Sequence, residues 1–210
     1  MIEQPDILAQ PDGRPALLWR LPAGTRCVSS AVLGGGIGSA EWVVNVEVDK
    51  DYDREPVAHL SALVAGWGLD GRGSGLLTAA AVRRFSVGRD GEVECAATVG
   101  LTYPVYAADP ASSAVAAVPG TINLVCWIPA PLVDSALVNA VATATEAKSQ
   151  ALAEAGVAGT GTASDALVVC CPPGGREPYG GPRSRWGLRL ANAVHTAVLT
   201  GTRDWQRRAR

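Results

Sequence analysis

The sequence predicts an α+β fold: a mixed, largely antiparallel sheet packed with helices in a single compact domain. Short runs rich in Val, Ile, Thr and Cys, bounded by Gly, Pro or Asp, read as strands. Three longer runs read as helices. The strands neighbour one another in sequence with few helices between them, which argues for antiparallel pairing over alternating crossover units.

The strands are read at residues 26–33, 41–48, 93–99, 121–128 and 166–171. Residues 76–87 are ambiguous, with strand character favoured in the second half. The first helix, 55–66, follows an acidic turn. The second, 132–155, is rich in Ala, Leu, Glu and Lys, follows two prolines and stops at Gly156. The third, 185–199, is followed by Gly201. No repeat and no low-complexity linker divides the chain.

Composition narrows the function classes. Hydrophobic residues make up 48% of the 210 residues and charged residues 18%, so a core is available and disorder is excluded. A net charge of -2 gives no global positive field for nucleic acid or an anionic membrane. The first fifteen residues lack the basic start and apolar stretch of a signal peptide. The uncharged run 110–133 is broken by five Pro and Gly residues and is no credible membrane helix. The cysteines, Cys27, Cys95, Cys126, Cys170 and Cys171, are odd in number with no C-x-x-C spacing. Buried free thiols in a reducing compartment fit them best, so a cytoplasmic location is expected.

Several motifs invite over-reading. The segment Gly66-Trp67-Gly68-Leu69-Asp70-Gly71 matches G-x-G-x-x-G. The dinucleotide fingerprint needs a strand before it and a helix after it, whereas here a helix precedes and more glycines follow. The run from Gly34 to Gly38 lacks the Lys-Ser/Thr of a phosphate loop, and serves equally as a turn or as a close backbone approach to a ligand. Two distant histidines, His59 and His195, give no basis for a zinc site, so no metal is expected. A G-x-S-x-G nucleophile elbow is absent.

Chemistry concentrates in the second helix and the loop after it. At about 100° per residue, Leu137, Val141, Ala144, Lys148, Ala151 and Ala155 share one stripe. Lys148 therefore sits mid-way along an apolar face, where a buried ammonium needs a carboxylate or several acceptors. Periodicity alone leaves open the alternative that its stem reaches past small alanines to water. Thr145 lies near the same face; Glu146 points almost the opposite way. The loop Gly159-Thr160-Gly161-Thr162-Ala163-Ser164-Asp165 then offers backbone N–H groups, hydroxyls and one carboxylate ahead of a buried strand. As a tight turn it would need only its Gly and Ser.

Taken in order, several strings resemble those of the adenosylcobinamide amidohydrolase family. They are Val28-Ser29-Ser30-Ala31, Gly34-Gly35-Gly36, Asn45, Gly75-Leu76-Leu77-Thr78-Ala79-Ala80 and Thr98-Val99-Gly100. After these come Gly120-Thr121-Ile122-Asn123, Thr145-Glu146-Ala147-Lys148, Gly159-Thr160-Gly161-Thr162 with Ser164-Asp165, and Tyr179-Gly180-Gly181 ahead of Gly187. The resemblance covers residues 26–201, which leaves 1–25 as an N-terminal extension and 202–210 as a basic tail. The T-E-A-K and G-T-G-T-x-S-D strings with their spacing are its specific part. Two departures stand out: Leu101-Thr102-Tyr103-Pro104 where similar proteins often have Ser-Asn-Ala, and Ser184 where they often have Thr.

The resemblance implies hydrolysis of the amide between a corrin side chain and its aminopropanol arm, giving adenosylcobyric acid and 1-aminopropan-2-ol in corrinoid salvage. A non-catalytic corrinoid-binding protein and a hydrolase of another amide are the competing readings. The implied partner is the corrinoid small molecule, with no nucleic acid or membrane and with a homo-oligomer left open. The cobalt belongs to the substrate and no cofactor is implied. Thr145, Glu146, Lys148 and Asp165 are the expected catalytic residues. Glu146 or Asp165 would activate a water or hydroxyl, and Lys148 would stabilise an oxyanion or hold the carboxylate. Ser30, Gly35, Gly36, Asn45, Thr78, Asn123, Thr160, Thr162 and Ser164 are the expected substrate-binding residues. Asn45 and Asn123 would orient substrate amides, and Trp42, Trp67, Trp127 and Trp186 are candidates to stack on a flat ring, with core filling the alternative and the favoured reading for Trp127 in its apolar run.

Overall fold

The computed structural model describes residues 4–108 and 120–209. Residues 110–119 of the proline-broken uncharged run lie outside them. The elements run β1 (Asp6–Ala9), β2 (Pro15–Arg20), β3 (Arg26–Ser29), β4 (Gly36–Ser39), β5 (Trp42–Glu47), α1 (Pro56–Gly66) and β6 (Gly73–Thr78). They continue with β7 (Ser86–Asp90), β8 (Val93–Val99), β9 (Ile122–Trp127), α2 (Asp134–Glu154), β10 (Ala166–Cys171) and α3 (Arg185–Arg208).

The strands form two sheets, ordered β1-β2-β5-β6 and β4-β3-β10-β9-β8-β7. Only β5–β6 and β9–β10 pair in parallel; the other pairs are antiparallel. The fold is thus α+β and largely antiparallel, with two sheets where one was expected.

The physical reason lies in burial on both faces. All residues of β8 and β9 are buried, so these strands need cover on each side. Leu17, Val43, Leu76, Val125, Trp127, Val168 and Cys170 pack between the sheets. Their neighbours in alternation face outward: Leu124, Cys126, Leu167 and Val169 meet Leu137, Ala144, Ala151, Leu190 and Val194 of α2 and α3. On the opposite side, Leu18, Val44 and Val46 meet Leu60 and Leu63 of α1. The result is four layers, helix–sheet–sheet–helix, set by the period of two along each strand.

Three local readings differ from the observed structure. The segment read as an N-terminal extension holds β1 and β2, and Ala16, Leu17 and Leu18 are buried in the four-stranded sheet. The ambiguous region carries its strand in the first half as β6; a 3-10 turn at Val82–Arg84 then intervenes before β7. The third helix continues to Arg208, so the basic tail is helical for most of its length. Among the described residues no helix is long and apolar enough to cross a membrane. All five thiols are free and buried, and burial pushes those of Cys27, Cys170 and Cys171 up.

Candidate active site

Helix α2 ends where Gly156 takes a left-handed conformation (φ 73°). There Val157 N donates to Leu152 O and Gly156 N to Ala153 O, the pairing that closes a helix on a glycine. The chain turns back along the helix and brings residues 159–165 beside its last turns. Lys148, 9% exposed, is thereby paired with the Asp165 carboxylate. The alternative in which the stem carries the ammonium out to water is not the one realised.

Asp165 is held by more than this pair. Its Oδ1 accepts from Ile122 N at 2.9 Å and from the Thr162 hydroxyl, and its Oδ2 accepts from Thr162 N at 3.1 Å as well as from Lys148 Nζ. Four donors fill the acceptor positions of a carboxylate. The residue is an anchor for a positive charge, with no lone pair left over to take a proton from a substrate. Gly161 makes the pairing possible: a Cβ there would overlap both Asp165 Oδ2 and Lys148 Nζ.

The pair opens onto a cavity of about 260 Å³ between α2 and the outer face of the six-stranded sheet. Ile122, Leu124, Val141 and Leu167 give it apolar walls, and Ser30, Thr145, Lys148 and Asp165 supply its polar groups. Ser30 Oγ accepts from Leu167 N at 3.0 Å, so the serine proton is free to donate into the cavity. Thr145 Oγ1 donates to Val141 O at 2.8 Å, which leaves its lone pairs available. This is a buried lysine flanked by two solvent-exposed hydroxyls beside an apolar wall, an arrangement suited to a carbonyl that acquires negative charge.

The model of the CbiZ family, described as adenosylcobinamide amidohydrolase, matches residues 1–210. The chain belongs to this family. A protein named adenosylcobinamide amidohydrolase from Halobacterium salinarum is 43% identical over 130 residues, 59% of this chain and 55% of that protein. The match thus spans little more than half of the archaeal relative. A protein of the same name from Methanosarcina mazei is 29% identical over 183 residues, 82% of this chain and 88% of that one. The family's description denotes hydrolysis of an amide.

Of the residues that the family resemblance marks, the structure brings Ser30, Thr145, Lys148, Thr162 and Asp165 together. Thr160 and Ser164 frame them: Thr160 N donates to Val105 O at 2.9 Å, and Ser164 Oγ donates to Gly120 O at 3.1 Å and shares a 2.7 Å contact with Thr121 Oγ1. Gly35 and Gly36 lie at the end of the β3–β4 hairpin whose first turn residue is Ser30. A Cβ on Gly35 would come 2.6 Å from Ala31 O, so that turn closes on bare backbone.

Four expected residues lie elsewhere. Glu146 is exposed and leaves the helix about 160° from Lys148. Thr78 is buried at the end of β6, its hydroxyl accepting from Ala80 N at 3.0 Å. Asn45 and Asn123 are each 1% exposed and sit between the sheets. There Asn123 Nδ2 donates to Asn45 Oδ1 and to Leu77 O, both at 2.9 Å, and Asn45 Nδ2 donates to Thr98 Oγ1 at 3.0 Å. The tryptophans singled out do not line the cavity either. Trp42 Nε1 donates to Asp70 O and Trp67 Nε1 to Ala9 O, Trp127 is buried between the sheets, and Trp186 carries Arg185 over its ring at 4.7 Å.

The sequence reading missed Ile122 and Gly161. Ile122 acts through its backbone N–H, which no side-chain motif displays. Gly161, flanked by threonines beside a carboxylate, reads as a turn glycine, and only the packing of the ion pair shows why no larger residue fits.

Proposed function

We propose that this chain hydrolyses the amide joining the corrin side chain of adenosylcobinamide to its aminopropanol arm, releasing adenosylcobyric acid and 1-aminopropan-2-ol for corrinoid salvage. The observation that carries the reading is the Lys148–Asp165 pair bordering a largely apolar cavity. The names of the family and of both relatives support the substrate. Cobalt arrives as part of that substrate, and the reading adds no cofactor. Five buried free thiols support a reducing, cytoplasmic setting.

An unstrained amide needs its carbonyl polarised and a water held in line with it. Lys148, paired with and aimed by Asp165, stabilises the oxygen as it becomes an oxyanion. The Ser30 hydroxyl donates to the same oxygen. The free lone pairs of Thr145 Oγ1 orient the attacking water, whose proton passes to the aminopropanol nitrogen as the C–N bond breaks, leaving the acid and the free amine. The apolar walls of Ile122, Leu124, Val141 and Leu167 lower the polarity around these groups and so strengthen each interaction.

The test follows aminopropanol release from adenosylcobinamide. Lys148→Met keeps the stem and removes the charge, and a loss of roughly 10²- to 10³-fold in kcat is expected. Asp165→Ala is expected to lose at least as much and also to unfold more readily, because it strands a buried ammonium. Parental turnover by a folded Lys148→Met protein would refute the assignment. Tight corrinoid binding by the parental protein without any product would instead mark a non-catalytic binder.

A further inference from the structure

A second cavity, about 390 Å³, opens at the same end of the sheets, beyond the last residues of β6 and β8 and against the C-terminal turns of α3. Ala79, Ala80, Gly100, Gly120, Trp205 and Arg208 line it, with Lys50 beside them. It adjoins the Lys148 site through shared backbone. Gly120 forms its wall and accepts from Ser164 Oγ at 3.1 Å, while Ile122, two residues on, donates to Asp165 at 2.9 Å.

We propose that this cavity receives the adenosyl group that the corrinoid carries on cobalt; the proposal rests on the amidohydrolase reading above. The Lys148 cavity, at about 260 Å³, suits an arm of the substrate but falls below the roughly 300–1,000 Å³ of pockets that hold a whole small ligand. The second cavity reaches that range. Its walls have the chemistry of a nucleoside slot. Trp205, packed partly against the core, supplies an aromatic ring in the lining on which a purine can stack. The opposite wall is Ala79, Ala80 and glycine backbone. A Cβ on Gly100 would come 3.2 Å from Ala80 Cβ, and one on Gly120 would come 3.1 Å from Gly100 O, so a larger residue at either position would crowd the wall. Arg208 and Lys50 at the mouth donate to groups that accept, as purine ring nitrogens and ribose oxygens do. Among the described residues the lining contains no carboxylate. Arg208 is steadied by Asp204, whose Oδ2 accepts from Arg208 Nε at 3.0 Å.

The experiment compares adenosylcobinamide with hydroxocobinamide, which carries hydroxide in place of adenosyl. Parental protein, Trp205→Leu and Ala80→Leu are each assayed for kcat/KM and, by equilibrium dialysis, for Kd. The expected result is a parental preference for the adenosylated corrinoid of about tenfold or more, the size of one base–aromatic stack. Both variants should lose that preference through KM and stay within about twofold of parental on hydroxocobinamide. Equal handling of both corrinoids by the parental protein overturns the proposal. So does an equal loss on both substrates in folded variants. Inhibition by inorganic phosphate that Lys50→Ala relieves, with the adenosyl preference untouched by Trp205→Leu, would reassign the cavity to an anion. Because Kd reads the preference without turnover, a protein that binds both corrinoids but releases no aminopropanol fails the hydrolytic reading and still decides the adenosyl slot.

Discussion

The two faces of β9 carry polar clusters of different kinds. On the outer face, Ile122 and Leu124 look into the cavity where Lys148 and Asp165 meet. On the inner face, one residue along, Asn123 closes a network with Asn45, Thr98 and the Leu77 carbonyl between the sheets. The inner cluster is buried and the outer one partly so, and both look like binding chemistry in the sequence. The inner amides spend their donors on one another, on Thr98 and on backbone, and Asn123 Oδ1 is shut away from any open space without a partner. The outer pair is equally saturated on the aspartate side, but its lysine borders open space. Hydrogen-bonding capacity turned towards a cavity marks a site, whereas capacity consumed within the core marks a structural clasp.

The sharpest way to break this contrast is at Gly161. Gly161→Ala places a methyl group on the Lys148–Asp165 pair without changing either residue. Activity is expected to fall by roughly a hundredfold, the cost of displacing reacting groups by about an ångström. A Gly161→Ala protein with parental kcat would show that the spacing of the pair is irrelevant to catalysis.

The opposite outcome is expected on the inner face. Asn123→Leu removes the donor to the buried Asn45 Oδ1 and to the part-buried Leu77 O. The expected cost is about 2 kcal/mol, or roughly 4–8 °C in Tm for a chain of this length. Turnover per folded molecule should stay within about twofold. A large fall in kcat with unchanged Tm would move the asparagines back into the substrate site.

These differences explain what was legible in the sequence. Lys148 stood out because a period of 3.6 residues places it on an apolar stripe, and Asp165 because it closes a glycine–threonine loop just ahead of a strand. The asparagines did not reveal their role, since a polar residue within an apolar run says nothing about what lies across from it. Only the second sheet supplies that partner. The second sheet was itself hard to see. β1 is exposed at most of its positions, β2 begins on Pro15, and β4 reads Gly-Ile-Gly-Ser with little β propensity. Their place comes from long-range pairing, as in the register of Leu17 with Asn45.

Glu146 gives the smallest effect and the finest test of the comparison. It stands two residues before Lys148 in the same motif, so similarity alone would group the two as a catalytic pair. The helix separates them: Lys148 turns inward to Asp165, and Glu146 turns out to solvent. Exposed carboxylates away from caps and ion-pair networks contribute little to stability, so Glu146→Ala should shift it by no more than about 0.5 kcal/mol. If the chemistry is confined to the cavity, kcat for aminopropanol release should also stay within about twofold of parental. A loss approaching that of Lys148→Met, with KM unchanged, would mean that the outer side of α2 meets the substrate too. The corrinoid would then have to wrap around the helix, and a site built from the inward face alone would be incomplete.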